Sequence, residues 1–203
     1  MNYYSFFIVL AVCLLIYASK RLVHHIVDHE FFWKLSFYTT FSSLIGAKIF
    51  HIAENYMFYS VTPNLIFSSY GFSVLGAIVF GYLTIMILSI IYKAKFYHIT
   101  DRIFLIVPLA QFIGRIGNIA NKELLPYSFY EMILNLINFG VLLLISRMKQ
   151  ADGIVTALFF FNYGVIRFFI EYTKGNYLGF LSLVSLIFVI YGGFKIFRLK
   201  TRL

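Results

Sequence analysis

Two arginines, Arg115 and Arg167, stand inside stretches otherwise apolar enough to lie in hydrocarbon, and each keeps polar company at helical spacing. In the run Gly114-Arg115-Ile116-Gly117-Asn118-Ile119-Ala120-Asn121-Lys122-Glu123, Asn118 shares a face with Arg115. At ~100° per residue, Asn121 falls about 120° from Arg115 one way and Glu123 about 80° the other. That arc is too wide for one cavity wall. Either several helices surround this stretch, or the helix ends near Asn121 and the chain bends back, as Pro126 favours. Tyr163, Arg167, Glu171 and Lys174 step along one face, so Glu171 is within reach of Arg167. Ser128, Glu131, Asn135 and Asn138 form another stripe, and Lys48, His51 and Asn55 a further one with Glu54 beside it. Ionisable groups inside a membrane span are costly, so each needs a partner or a purpose. Such groups can be interhelical glue. Their concentration towards the outer halves of the spans instead favours a site, because two planar guanidinium forks facing one cavity match the oxygens of a phosphate. A phosphate arriving from the lipid is the obvious anion.

The elements that carry these groups are read from hydropathy. At 61% hydrophobic and 12% charged, 203 residues could not cover their own apolar core with polar surface, so lipid is part of the solvent. Seven apolar runs are long enough to cross a bilayer: 2–19, 35–54, 65–92, 103–120, 129–146, 154–172 and 178–197. The third could lose its first turn to an interfacial piece. Helices are expected, since the runs are too long and continuous for barrel strands. Twelve of the seventeen Lys and Arg residues lie in every second gap: Lys20, Arg21 and Lys34; Lys93, Lys95 and Arg102; Arg147 and Lys149; Lys195, Arg198, Lys200 and Arg202. The positive-inside rule then places the N-terminus outside and the C-terminus in the cytoplasm. The expected fold is all-α, one seven-helix membrane bundle over residues 1–203, with no separate soluble domain.

The net charge of +9 does not argue for a nucleic-acid partner, because the basic residues sit where sidedness already demands them. The first run lacks a basic leader and a small-residue cleavage site, so a cleaved signal peptide is not expected. Cys13 is the only cysteine and reads as a buried apolar filler. No cysteine ligand pattern or Ser-His-Asp arrangement stands out; no cofactor or metal is expected, and His24, His25 and His29 read as a solvated loop.

The run from Gly114 to Glu123 resembles the signature of prolipoprotein diacylglyceryl transferases, G-R-x-G-N-F-x-N-x-E. Asp101 resembles the acidic residue that opens the same helix in that family. Pro126-Tyr127-Ser128-Phe129-Tyr130-Glu131 is similar to its P-S-Q-L-Y-E block. The run from Tyr163 to Tyr172 resembles Y-G-x-x-R-F-x-x-E-F. Upstream, Gly46-Ala47-Lys48-Ile49-Phe50-His51 looks like G-A-R-L-G-Y, and the segment from Gly71 to Ala77 aligns with G-x-x-S-H-G-A. The resemblance runs from about Gly46 to Glu171, with no match ahead of it. It implies an enzyme of the bacterial cytoplasmic (inner) membrane that moves diacylglyceryl from phosphatidylglycerol, or a related anionic phospholipid, to the thiol of a lipobox cysteine in a prolipoprotein. Arg115 and Arg167 would neutralise the departing phosphate, and Asn118 and Asn121 would orient the headgroup. Glu123, Glu131 and Glu171 would hold the arginines, with Lys48 and Tyr163 completing the lipid site. The family histidine of S-H-G-A aligns with Leu75, Lys48 replaces an arginine, and only Leu124 and Leu125 separate the signature from the next block. His51 is the remaining candidate base. A catalytically silent phospholipid-binding protein is the alternative. A small transporter is a third reading, disfavoured because the inward halves of the spans carry almost no charge.

Overall fold

The computed structural model describes residues 3–68, 71–123 and 125–201. Asn2, Leu124 and Arg202, which figure in the expectations above, lie outside the described residues. Among those described there are eight α-helices and no strand: α1 (Tyr3–Val23), α2 (His29–Glu54), α3 (Tyr56–Val61), α4 (Val74–Ile91), α5 (Phe96–Ala120), α6 (Tyr127–Ser146), α7 (Ile154–Thr173) and α8 (Phe180–Lys200). A 3-10 turn, Pro63–Phe67, follows α3.

Six of these helices are long and apolar enough to cross a membrane: α1 and α4 to α8. The exception among the long helices is α2, the longest at 26 residues. It carries His29, Glu30 and Lys34 at one end, Lys48, His51 and Glu54 at the other, and Thr39, Thr40, Ser42 and Ser43 between. The hydroxyls have work in the packing. Ser42 Oγ lies 2.6 Å from Thr84 Oγ1 of α4. The third apolar run loses more than a turn, because α4 begins only at Val74. Pro63 opens the 3-10 turn, where a missing N–H does no harm. Gly71 then takes φ +69°, a left-handed conformation that breaks the helix.

Helix ends are set by local chemistry. The Asp28 carboxylate accepts the Phe31 N–H at 2.9 Å and caps α2. α7 starts after Gly153 (φ +93°), whose missing side chain cannot cap. Asp101 of α5 does so from across the bundle, accepting the N–H groups of Gly153 (2.7 Å) and Thr156 (2.8 Å) and the Thr156 hydroxyl (2.6 Å).

α7 lies at the centre, with twelve of its twenty residues buried. It packs against α8, α6 and α5, while α1 packs on α5 and α2 on α4. The α2–α4 crossing is close enough that a Cβ on Gly76 would overlap the Gly46 carbonyl and Phe50. Ser182 and Ser185 of α8 are buried; Ser185 Oγ donates to the Leu181 carbonyl of its own helix, and its backbone carbonyl lies against Gly164 of α7. The main core gathers Phe104, Phe159, Phe160, Tyr163 and Phe188. A second cluster gathers Val23, Phe31, Leu35, Ile85 and Ile99 from α1, α2, α4 and α5.

Many large apolar side chains, Phe6, Phe37, Ile90 and Phe194 among them, point outward, as lipid contact allows. Cys13 joins them: it is exposed, not buried as expected. Ala11, Leu15, Ala18 and Leu22 form the inward stripe of α1, and Cys13 is ~200° round from Ala11.

Successive long helices alternate in direction: most are joined by short connections, and across the longer α2–α4 link Gly46 meets Gly76 and Ser42 meets Thr84, as an antiparallel pair requires. The C-terminal ends of α2, α5 and α7 therefore share one end of the bundle with the N-terminal ends of α4, α6 and α8. Lys20, Arg21, Lys34, Lys93, Lys95, Arg147, Lys149 and Arg198 gather at the opposite, basic end. Asp101 belongs to that basic end.

Candidate active site

At the less basic end, three helices bring a connected set of charges together within about two turns of their termini. Glu131 of α6 is the junction. Its Oε1 accepts Arg115 Nη2 of α5 at 2.7 Å, and its Oε2 accepts Arg167 Nη1 of α7 at 2.9 Å. Arg167 Nη2 also donates to Glu171 Oε1 at 2.8 Å, which takes Lys174 Nζ at 3.0 Å. Arg115 Nη1 reaches Asn118 Oδ1 at 3.1 Å. The two guanidiniums thus converge, but through a shared carboxylate. With all groups ionised, Arg115, Arg167 and Lys174 set three positive charges against the two of Glu131 and Glu171.

The signature run behaves as its geometry requires. α5 ends at Ala120 with Asn121 as its cap, and Lys122 follows in a left-handed turn (φ +59°). The turn brings Glu123 back over the helix end, where its Oε2 accepts Asn118 Nδ2 and its Oε1 accepts Asn121 Nδ2, both at 3.1 Å. Glu123 therefore holds the two carboxamides, whereas Glu131 and Glu171 hold the arginines. Ser128, Glu131, Asn135 and Asn138 are all buried, so the α6 stripe faces inward as spaced.

Burial grades the site. Glu131, Glu171 and Arg167 side chains are almost fully enclosed, while Arg115 keeps 13% exposure and Lys174 27%. Buried charges of this kind are stabilised only when each is met by an opposite charge or hydrogen bonds. Some capacity is left over. Arg167 Nε and the Tyr163 hydroxyl have no hydrogen-bond partner among the described residues.

Lys48 and His51 are organised around another partner set. Lys48 Nζ donates to the carbonyls of Leu65 (3.1 Å) and Ser68 (3.0 Å) and lies 5.3 Å from the Tyr59 ring centre. It ties down the strap formed by α3 and the 3-10 turn. His51 meets the Tyr59 ring edge-on at 5.8 Å, and its backbone carbonyl takes Asn55 Nδ2. Leu75 is 1% exposed, inside the main core. Sequence reasoning passed over Asn176, whose side chain reaches Glu171 at 3.4 Å, and Gln111, one turn before Arg115. The i−4 spacing of Gln111 was a readable signal. Among the described residues no group of three His, Cys, Asp or Glu is placed to hold a metal ion.

Comparison with known proteins agrees with the motifs. A phosphatidylglycerol--prolipoprotein diacylglyceryl transferase of Symbiobacterium thermophilum is 26% identical over 202 residues, covering 84% of this chain and 75% of its own. Its counterpart in Clostridioides difficile is 33% identical over 148 residues, covering 63% and 60%. That of Clostridium novyi is 29% identical over 189 residues, covering 74% and 72%. The chain therefore spans well under the full length of these relatives. The model of the prolipoprotein diacylglyceryl transferase family matches residues 1–198, so the likeness also takes in the region ahead of Gly46, where the motifs alone gave no match. With that match over nearly its whole length, the chain belongs to the prolipoprotein diacylglyceryl transferase family.

Proposed function

We propose that this protein transfers the diacylglyceryl group of phosphatidylglycerol to a cysteine thiol of a prolipoprotein lipobox peptide. In this reading the chain is a single integral domain of the bacterial cytoplasmic membrane. α2 is its seventh span, the N-terminus and the charge network face outward, and the basic end lies in the cytoplasm, in keeping with the positive-inside rule. The observation that carries the proposal is the pair of guanidiniums, Arg115 and Arg167, joined through Glu131 within one cluster.

The chemistry is a displacement at the glyceryl methylene that bears the phosphate. The cysteine sulfur forms a C–S bond as the C–O bond breaks, and the electron pair leaves with the phosphate. Glycerol phosphate departs carrying one more negative charge than the diester did. Arg115 and Arg167 stabilise that growing charge, an electrostatic contribution of the kind worth about 10²–10³ in rate per donor. Asn118 and Asn121, held by Glu123, orient the headgroup, and Tyr163 and Lys48 complete the lipid site. His51 takes the thiol proton.

A second reading has its own support. Leu75 stands where the family motif has a histidine and is sealed in the core, so that position offers no base. A protein that binds phospholipid without reacting would share the arginine cluster. The two readings separate when purified protein is given phosphatidylglycerol and a cysteine-containing lipobox peptide. A peptide heavier by one diacylglyceryl group supports the transferase. Retained lipid with unmodified peptide overturns it and leaves the silent binder.

A further inference from the structure

Beneath the charge network three helices present polar side chains with no hydrogen-bond partner among the described residues. Arg115 of α5 and Glu131 of α6 touch across antiparallel helices. One turn further into the bundle, four residues back along α5 and four forward along α6, stand Gln111 and Asn135. α7 adds Tyr163, four residues before Arg167, which bonds the same Glu131. Each step is about 6 Å along its helix, so the three groups are level. Both amide atoms of Gln111, both of Asn135 and the Tyr163 hydroxyl are shielded from solvent and have no hydrogen-bond partner among the described residues. Asn135 and Tyr163 are fully enclosed, while Gln111 is only partly buried and stands at the margin of the group. Native proteins rarely leave buried polar atoms unsatisfied. Three of these groups are donors at one depth, Gln111 Nε2, Asn135 Nδ2 and the Tyr163 hydroxyl, and they point to an occupant that accepts hydrogen bonds.

We infer that Gln111, Asn135 and Tyr163 receive the ester carbonyls of the donor lipid, so that the protein selects diester over diether glycerolipids. The inference rests on the transferase reading and names its donor more closely. In a glycerophospholipid the ester carbonyls hang from the glycerol carbons beyond the one that bears phosphate, a few bonds deeper in the membrane. With the phosphate at Arg115 and Arg167, those carbonyls fall at the next turn. Ester carbonyls accept hydrogen bonds and donate none. The side-chain amides and the phenol supply the N–H and O–H groups they need. An ether-linked lipid keeps the headgroup, charge and chains but lacks the carbonyls, leaving the same donors unsatisfied.

The test uses the full chain in detergent micelles, with phosphatidylglycerol carrying two ester-linked or two ether-linked chains. Transfer to a lipobox peptide and retention of each lipid by native mass spectrometry are read in parallel. The wild-type protein is expected to prefer the ester lipid at least about tenfold in both readouts. Gln111→Met, at the half-buried position, and Asn135→Leu should bring the preference to within about twofold by weakening the ester lipid alone. Gln111→Met carries the test where Asn135→Leu fails to fold. Equal use of both lipids by the wild type overturns the inference. So does an equal loss for both lipids in the variants, which would make ordered water the occupant. No product from either lipid would instead overturn the transferase reading, and the retention ratio would still decide the floor.

Discussion

Replacing Glu131 by glutamine removes the one negative group that joins the two arginines while preserving shape. In the native protein each carboxylate oxygen serves a different guanidinium, at 2.7 and 2.9 Å, and the side chain is 3% exposed. A carboxamide offers one acceptor, and its NH2 would confront the second guanidinium donor to donor. Of the two carboxylates that ion-pair with Arg115, Arg167 and Lys174, only Glu171 would then remain. Taking one partner from a buried ion pair costs about 3–5 kcal/mol. For a chain of this size each kcal/mol shifts the melting temperature by about 2–4 °C, so Glu131→Gln should melt about 6–20 °C lower. Trp33, the only tryptophan, lies at the far end of the bundle and reports global unfolding by its fluorescence. Added phosphatidylglycerol should restore part of the loss, because its phosphate supplies the missing charge. Melting within about 2 °C of wild type would refute the reasoning, since it would mean that the arginines do not depend on this carboxylate.

Arg115→Lys keeps the charge but loses the fork that reaches Asn118 and Glu131 together. Transfer to the lipobox peptide should fall at least about 100-fold, and an unchanged rate would contradict the assigned role. Asp101→Asn weakens the cap of α7 at the basic end by about 1–2 kcal/mol, seen in thermal melts, while transfer per folded molecule stays as in the wild type. Lys48→Met releases the carbonyls of Leu65 and Ser68. Limited proteolysis should then cut residues 56–68 faster, with little change in the melting of the bundle.

Much of the site was legible because helical spacing survives burial. The stripe from Ser128 to Asn138 and the pair Arg167–Glu171 follow from turns of 3.6 residues, and the end of α5 at Asn121 follows from the arc and Pro126. Which carboxylate serves which group was not legible. Glu131 bridges two helices and Glu123 folds back onto carboxamides, and both depend on how α5, α6 and α7 sit together. Lys48 shows the same limit: its spacing placed it on the His51 face, yet its partners are backbone carbonyls of a strap that hydropathy had partly assigned to a span. Cys13 was misread because hydropathy does not say which face of a helix meets lipid. Asp101 is near the start of α5, as the motif suggested, but it caps a helix more than fifty residues away.

Native mass spectrometry of the purified chain, asking whether its arginines act on one headgroup, tests the account most directly. Wild-type protein should retain one phosphatidylglycerol, and Arg115→Ala and Arg167→Ala should each lose it. Retention of that lipid by either variant, or two lipids of which each variant loses a different one, would contradict a shared phosphate site.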